Sequence, residues 1–248
     1  MSDVQRYFFV HLQKTGGTAL LQRLRLHFGV DAVYPTPAVQ GVPATSLDVR
    51  LLADRFAQDG QHIRMVTGHF PLCAADVLGV PFTTFTLLRE PVERTLSLLR
   101  HRREVEPGQE GSSLEDLYHQ PVVWRLAHNH MVKLLSLTVD EVDDGALSEI
   151  PMDQGRLERA IANLTDRVDL FGVQERFDEF CADLEARYGF DLGAPRYANR
   201  STPAEASPAL RQEIASDNEL DVRLYEWAVA ALPAPRSEAT RSEATRSE

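Results

Sequence analysis

Arg6-Tyr-Phe-Phe-Val-His-Leu-Gln-Lys-Thr-Gly-Gly-Thr18 runs directly into Ala19-Leu-Leu-Gln-Arg-Leu-Arg-Leu-His-Phe28. The first stretch reads as an apolar strand, Tyr7 to Leu12, ending in a Lys-Thr-Gly-Gly-Thr loop. The second reads as a helix, because Leu20, Leu21, Leu24 and Phe28 share one face. Gly29 is a natural stop for it. A strand, a glycine turn and a helix start present free backbone N–H groups at one point. Together they make an anion cradle with Lys14 beside it. The ordinary nucleotide-triphosphate loop, Gly-x-x-x-x-Gly-Lys-Ser/Thr, is not this pattern. Here the lysine precedes the glycines. A phosphate-binding turn of another kind, or a plain strand-to-helix turn, stays open from this segment alone.

A second segment has the same grammar. Phe82-Thr-Thr-Phe-Thr-Leu-Leu88 is β-branched and aromatic, which predicts a buried strand. Arg89-Glu90-Pro91 follows, and Pro91 suits the first turn of a helix continuing through Arg100. An arginine at a strand end offers a planar fork to phosphate oxygens, and a helix hydroxyl at Ser97 adds a further bond. The plainer alternatives are a solvent-facing Ser97 and an Arg89 paired with Glu90 or Glu93.

His11-Leu12-Gln13-Lys14-Thr15-Gly16-Gly17-Thr18 resembles the 5′-phosphosulfate loop of sulfotransferases that use 3′-phosphoadenosine 5′-phosphosulfate (PAPS). The closest form is that of carbohydrate sulfotransferases related to the heparan sulfate 2-O- and 6-O-enzymes. Arg89-Glu90-Pro91-Val92-x-Arg94-x-x-Ser97 resembles their 3′-phosphate motif. Asn199-Arg200-Ser201-Thr202 is similar, less sharply, to a late loop near the nucleotide. The resemblance implies an α/β, P-loop-like, three-layer α/β/α fold with a central parallel sheet. It also implies roles: Lys14 stabilises charge on the leaving phosphate, and Thr15, Gly16, Gly17 and Thr18 hold that phosphate. Arg89 and Ser97 hold the 3′-phosphate, and Arg200 joins the nucleotide site. No metal is expected. His69, in Met65-Val-Thr-Gly-His-Phe70, matches the family's Gly-His catalytic base, and a histidine suits proton abstraction near neutrality. A backbone-bonding histidine is the alternative. His11 is the runner-up base, with its side chain expected on the face opposite the nucleotide. Of the others, His130 is the one whose segment is expected to line the acceptor cleft.

The whole pattern alternates. Strands at Tyr7–Leu12, Arg64–Thr67 and Phe82–Leu88 are separated by helices at Thr18–Phe28, Leu47–Gln58 and Cys73–Leu78. That order implies a parallel sheet with helices on both faces. The second half reads as helices Pro121–Leu137, Asp153–Leu164, Phe177–Tyr188 and Pro208–Leu232, with one strand at Asp169–Val173. We expect one sulfotransferase domain, 1–234, and a polar tail, 235–248, built on an Arg-Ser-Glu-Ala-Thr repeat. The loops Tyr34–Ser46 and Val105–Ser113 are rich in turn residues and are candidates for an acceptor lid.

Composition narrows the partners. No stretch approaches the about 20 apolar residues of a membrane span, and without a basic n-region before an apolar run no secretory signal is expected. Cys73 and Cys181 are the only cysteines and lack metal-like spacing, which with the missing signal points to the cytoplasm. A formal charge of −11, from 26 basic and 37 acidic residues, argues against nucleic acid or a long sulfated glycan. A small-molecule or carbohydrate acceptor is expected instead. The basic run Arg100-His-Arg-Arg103 has two open readings, nucleotide steering and complementing its own helix dipole. A small-molecule kinase with an atypical loop and a non-catalytic nucleotide-binding protein are the competing functions.

Overall fold

The structure, a computed structural model, describes residues 4–39, 46–142, 147–193 and 206–235. Strands β1 (Tyr7–Val10), β2 (Val33–Tyr34), β3 (Met65–Gly68), β4 (Thr83–Leu88) and β5 (Leu170–Val173) form one parallel sheet in the order β2-β3-β1-β4-β5. The helices are α1 (Gly17–Phe28), α2 (Val49–Asp59), α3 (Ala74–Val77), α4 (Pro91–Val105), α5 (Leu114–Tyr118) and α6 (Pro121–Ala127) in the first part. They continue as α7 (His130–Ser136), α8 (Gln154–Asp166), α9 (Phe177–Tyr188), α10 (Pro208–Asp217) and α11 (Glu219–Ala231).

The two-residue period of β1 builds two cores at once. Tyr7 and Phe9 pack against α1 and α9 through Leu20, Leu24, Phe180 and Leu184. Phe8 and Val10 face the other way, toward Leu52 of α2 and toward α7, α8 and α11 through Leu134, Leu157 and Leu224. Every β1 residue is buried, as expected for a central parallel strand covered on both faces. The three-layer α/β/α fold read from the sequence is therefore present. A third cluster, from α4, α5, α6 and α10, extends the molecule beyond the sheet.

Register positions the site. Val10 pairs with Gly68 of β3 and with Thr86 of β4. The three central strands thus run level, and the segments leaving them emerge along one rim. That rim carries the Lys14 loop, His69 and Arg89. In an open parallel sheet, ligands bind beyond the carboxyl ends at such a crossover of strand order.

The structure corrects three readings. Val33–Tyr34 is an edge strand, where a loop was expected from Tyr34; two residues are too few to show alternation. The helix expected over Pro121–Leu137 is two helices, broken at His128 and Asn129. The helix expected over Pro208–Leu232 is also two, broken at Asn218. The breaks explain each other: the Asn129 N–H donates to Asn218 Oδ1 at 2.8 Å. Arg200, the rest of its loop and the repeat tail from 236 lie outside the described residues.

Candidate active site

The loop after β1 is shaped by two left-handed residues. Gly16 caps α1 at φ 91°, with no side-chain cap and no acidic residue in the first turn. The Ala19 N–H is taken by the Gly16 carbonyl at 3.1 Å, so of the first-turn N–H groups those of Gly17 and Thr18 are the ones left to meet an anion. Lys14 sits at φ 66°, uncommon for a residue with a Cβ. Thr18 is exposed on the first turn. Thr15 is different: it is fully buried, and its hydroxyl donates to the Leu12 carbonyl at 2.8 Å. That hydroxyl braces the loop and does not line the cleft. Gly17 is required by packing, because a Cβ there would overlap the His11 imidazole.

Arg89 leaves β4 and reaches the same loop, with Nη1 donating to the Lys14 carbonyl at 2.9 Å. The two motifs are thus joined physically. Glu90 is occupied as the cap of α4, accepting from the N–H groups of Val92 at 3.0 Å and Glu93 at 2.7 Å. Glu93 pairs with Arg211 of α10 at 2.8 Å. Ser97, two turns into α4, is half-buried and faces the cleft. Burial lowers the Lys14 pKa, and the Arg89 charge lowers it further, with Glu104 opposing. Two cations crowd one space, an arrangement that an anion between them relieves.

His69 follows β3 directly. Its N–H donates to the Ser46 carbonyl at 2.7 Å, and its Nδ1–H donates to the His11 carbonyl at 2.8 Å. The second bond fixes the tautomer, and Nε2 has no hydrogen-bond partner among the described residues. Burial pushes the His69 pKa below the ordinary 6.5, the bond to His11 opposes that, and Lys14 adds to it. His11 does not point away from the cleft, as expected, but lines it. Its ring stacks on Phe9 at 5.3 Å and stands 4.5 Å from the His69 ring. Burial, His69 and Lys14 hold its pKa well below the usual value.

These groups line one cleft of about 1180 Å³. Lys14, Gly16, Gly17, Thr18, His69, Arg89 and Ser97 all border it. His101, Arg100, Arg102 and Arg211 border it too. The sequence marked Arg100-His-Arg-Arg103 but left its direction open; helical spacing turns Arg100 inward, where it is buried. The cleft has five Lys or Arg residues against Glu93 and Glu106, so its wall is basic although the chain is acidic. His130 is absent from this lining and is completely buried beneath the loop. Among the described residues, no three His, Cys, Asp or Glu side chains gather as a metal site. No helix among them is long and apolar enough to cross a membrane.

No protein-family model matches the chain, and no curated protein matches it. Among solved structures, a sulfotransferase from Alicyclobacillus acidocaldarius is similar, with a TM-score of 0.55 and 17% sequence identity. The match covers 94% of this chain and 98% of that one. The shared property is the fold.

Proposed function

We propose that this chain is a PAPS-dependent sulfotransferase, of the type related to the heparan sulfate 2-O- and 6-O-enzymes. Its acceptor is a hydroxyl of a small glycoconjugate, glycolipid or natural product. One observation carries the reading: Lys14 with its glycine turn, Arg89 with Ser97, and a histidine with a free Nε2 border a single basic cleft. The named fold of the solved sulfotransferase supports it. The two buried, unpaired thiols support a reducing, cytoplasmic setting.

PAPS would supply an activated sulfuryl group on a good phosphate leaving group, and the protein's task is positioning and charge neutralisation. Amides at the start of α1 hold the 5′-phosphate, and Lys14 balances the charge that grows there. Arg89 and Ser97 hold the 3′-phosphate. His69 takes the acceptor hydroxyl's proton on Nε2, while Nδ1 stays bonded to the His11 carbonyl. His11 supports this arrangement through its carbonyl and through its contact with Gly17.

Calorimetry and turnover test the reading. Adenosine 3′,5′-bisphosphate should bind far better than AMP, because the 3′-phosphate adds charge-assisted bonds of about 1.5–3 kcal/mol each. Arg89→Ala should erase most of that difference. Labelled PAPS with a metabolite extract should yield products heavier by about 80 Da, the mass of a transferred sulfuryl group. Preference for ATP over the bisphosphate would instead favour a kinase.

A further inference from the structure

His130 lies far from Gln13 in sequence and directly beneath it in space. Its Nε2 accepts the Gln13 backbone N–H at 3.1 Å. An accepting Nε2 places the ring proton on Nδ1, and Nδ1 has no partner among the described residues. Buried polar atoms are nearly always satisfied, so an orphaned one calls for a reason. Rotating the ring to satisfy Nδ1 would release Gln13.

The ring is held from the other side of the molecule. His130 opens α7, and the preceding Asn129 is left-handed at φ 42°. The Asn129 N–H donates to Asn218 Oδ1, and Asn129 Oδ1 accepts the Asp221 N–H at 3.1 Å. The buried Asp221 carboxylate accepts the N–H groups of Met131 at 3.1 Å and Val132 at 2.8 Å. These bonds clamp the start of α7 to α11 and deliver the His130 ring to the loop. Burial, then the charges of Arg94, His69, Lys133 and His11, keep the ring neutral. A neutral ring is the state in which Nε2 can accept.

The residue after Gln13 is Lys14, at its unusual positive φ. A side-chain-bearing residue stays there only when its surroundings over-determine it. On one flank the Gln13 N–H is held by His130, and on the other the Lys14 carbonyl is held by Arg89. We propose that His130 is a positioning residue for the phosphate loop: its Nε2 fixes the Gln13 amide and so keeps Lys14 in its left-handed conformation beside the cleft. It touches no substrate. Its effect on nucleotide binding rests on the sulfuryl-transfer reading; its hold on the loop does not.

The test compares His130→Leu, which keeps apolar volume, with His130→Gln, whose side-chain oxygen can replace Nε2 as acceptor. Hydrogen exchange at the Gln13 amide is read in the unliganded protein. Affinity for adenosine 3′,5′-bisphosphate and kcat for PAPS are read alongside. His130→Leu should exchange at Gln13 at least tenfold faster and lose tenfold or more in affinity or kcat, with global unfolding still cooperative. His130→Gln should return both to within threefold of the parent. Unchanged Gln13 exchange in a folded His130→Leu overturns the proposal. So does a Gln variant no better than Leu, which would make the site mere packing. If the parent protein fails to bind the bisphosphate, the sulfuryl-transfer reading fails, and Gln13 exchange still decides His130. Should His130→Leu not fold, the imidazole 15N spectrum of the parent decides, since a protonated Nε2 at neutral pH would overturn the assignment.

Discussion

At the scale of single residues, the site is a matter of which nitrogen is free and which cation is close. With Nδ1 of His69 committed to the His11 carbonyl, only Nε2 can take a proton. His69→Ala should therefore lose about 10²–10⁴-fold in turnover while binding nucleotide almost normally. The parent kcat/KM should fall on acidification, as His69 is protonated. Because burial lowers its pKa, that limb should lie below the ordinary 6.5, leaving activity flat near neutrality. A rate that climbs between pH 7 and 8, or a limb that persists in His69→Ala, would remove His69 as the base. Lys14→Ala should lower kcat by about 10²-fold or more with a smaller loss of product-nucleotide affinity. A raised KM at normal kcat would mean the lysine only binds. Gly17→Ala is a separate test: its methyl would displace the His11 ring, and with it the carbonyl that orients His69. Its activity should drop, and its melting temperature should fall as well, because overpacking the buried His11 ring costs about 1–3 kcal/mol. That Lys14, Arg89, Ser97 and His69 border one cleft was legible because each belongs to a short local pattern. His11's direction and His130's contact were not, because the first depends on the pleat and the second joins positions 117 residues apart.

At the scale of elements, apolar periodicity gave the central strands and most helices, since each buries one face against the sheet. It could not show the breaks at Asn129 and Asn218, because periodicity runs on across both. The breaks are made by each asparagine finding the other's segment. Other connections are clasped by charge. Glu141, in the short turn Val139–Glu141 after α7, receives both Arg156 Nη1 at 2.8 Å and Arg156 Nη2, which ties the turn to α8. Arg156 and the Thr138 bonds lower the Glu141 pKa from 4.5 to about 2. A carboxylate depressed on folding stabilises above its unfolded pKa and loses that contribution as pH falls toward the folded one. The clasp should thus be fully present above about pH 5 and lost between 4.5 and about 2. The pair is partly exposed, and solvent screening trims its worth to about 1 kcal/mol. Glu141→Gln should lower stability by that amount at pH 7 and flatten the acid dependence, measured by urea unfolding across the window. An unchanged slope would mean that other carboxylates carry it.

At the scale of the whole molecule, the acidic surface and the basic cleft divide the work. A net charge of −11 repels polyanions in general, while the cleft concentrates Lys14, Arg89, Arg100, Arg102 and Arg211. The basic run Arg100-His-Arg-Arg103 hinted at this separation, whereas the arrival of Arg211 from α10 depends on tertiary packing that charge along the chain cannot show. The cleft is also where the layers meet: its walls come from the β1 and β4 ends, α4 and α10. A ligand spanning it should therefore stabilise the fold as a unit. Adenosine 3′,5′-bisphosphate at a hundredfold its Kd should add about 2.7 kcal/mol. For a chain of this size, that raises Tm by about 5–10 °C. AMP at the same concentration, lacking the phosphate held by Arg89 and Ser97, should raise it far less. Added salt should erode the bisphosphate shift, because several of the cations it meets lie at an open cleft and are screened. Scanning calorimetry with both nucleotides at low and high salt checks all three statements. Equal shifts from the two nucleotides would show that the 3′-phosphate is not recognised. A shift confined to one of several transitions would show that the cleft does not bind the layers together.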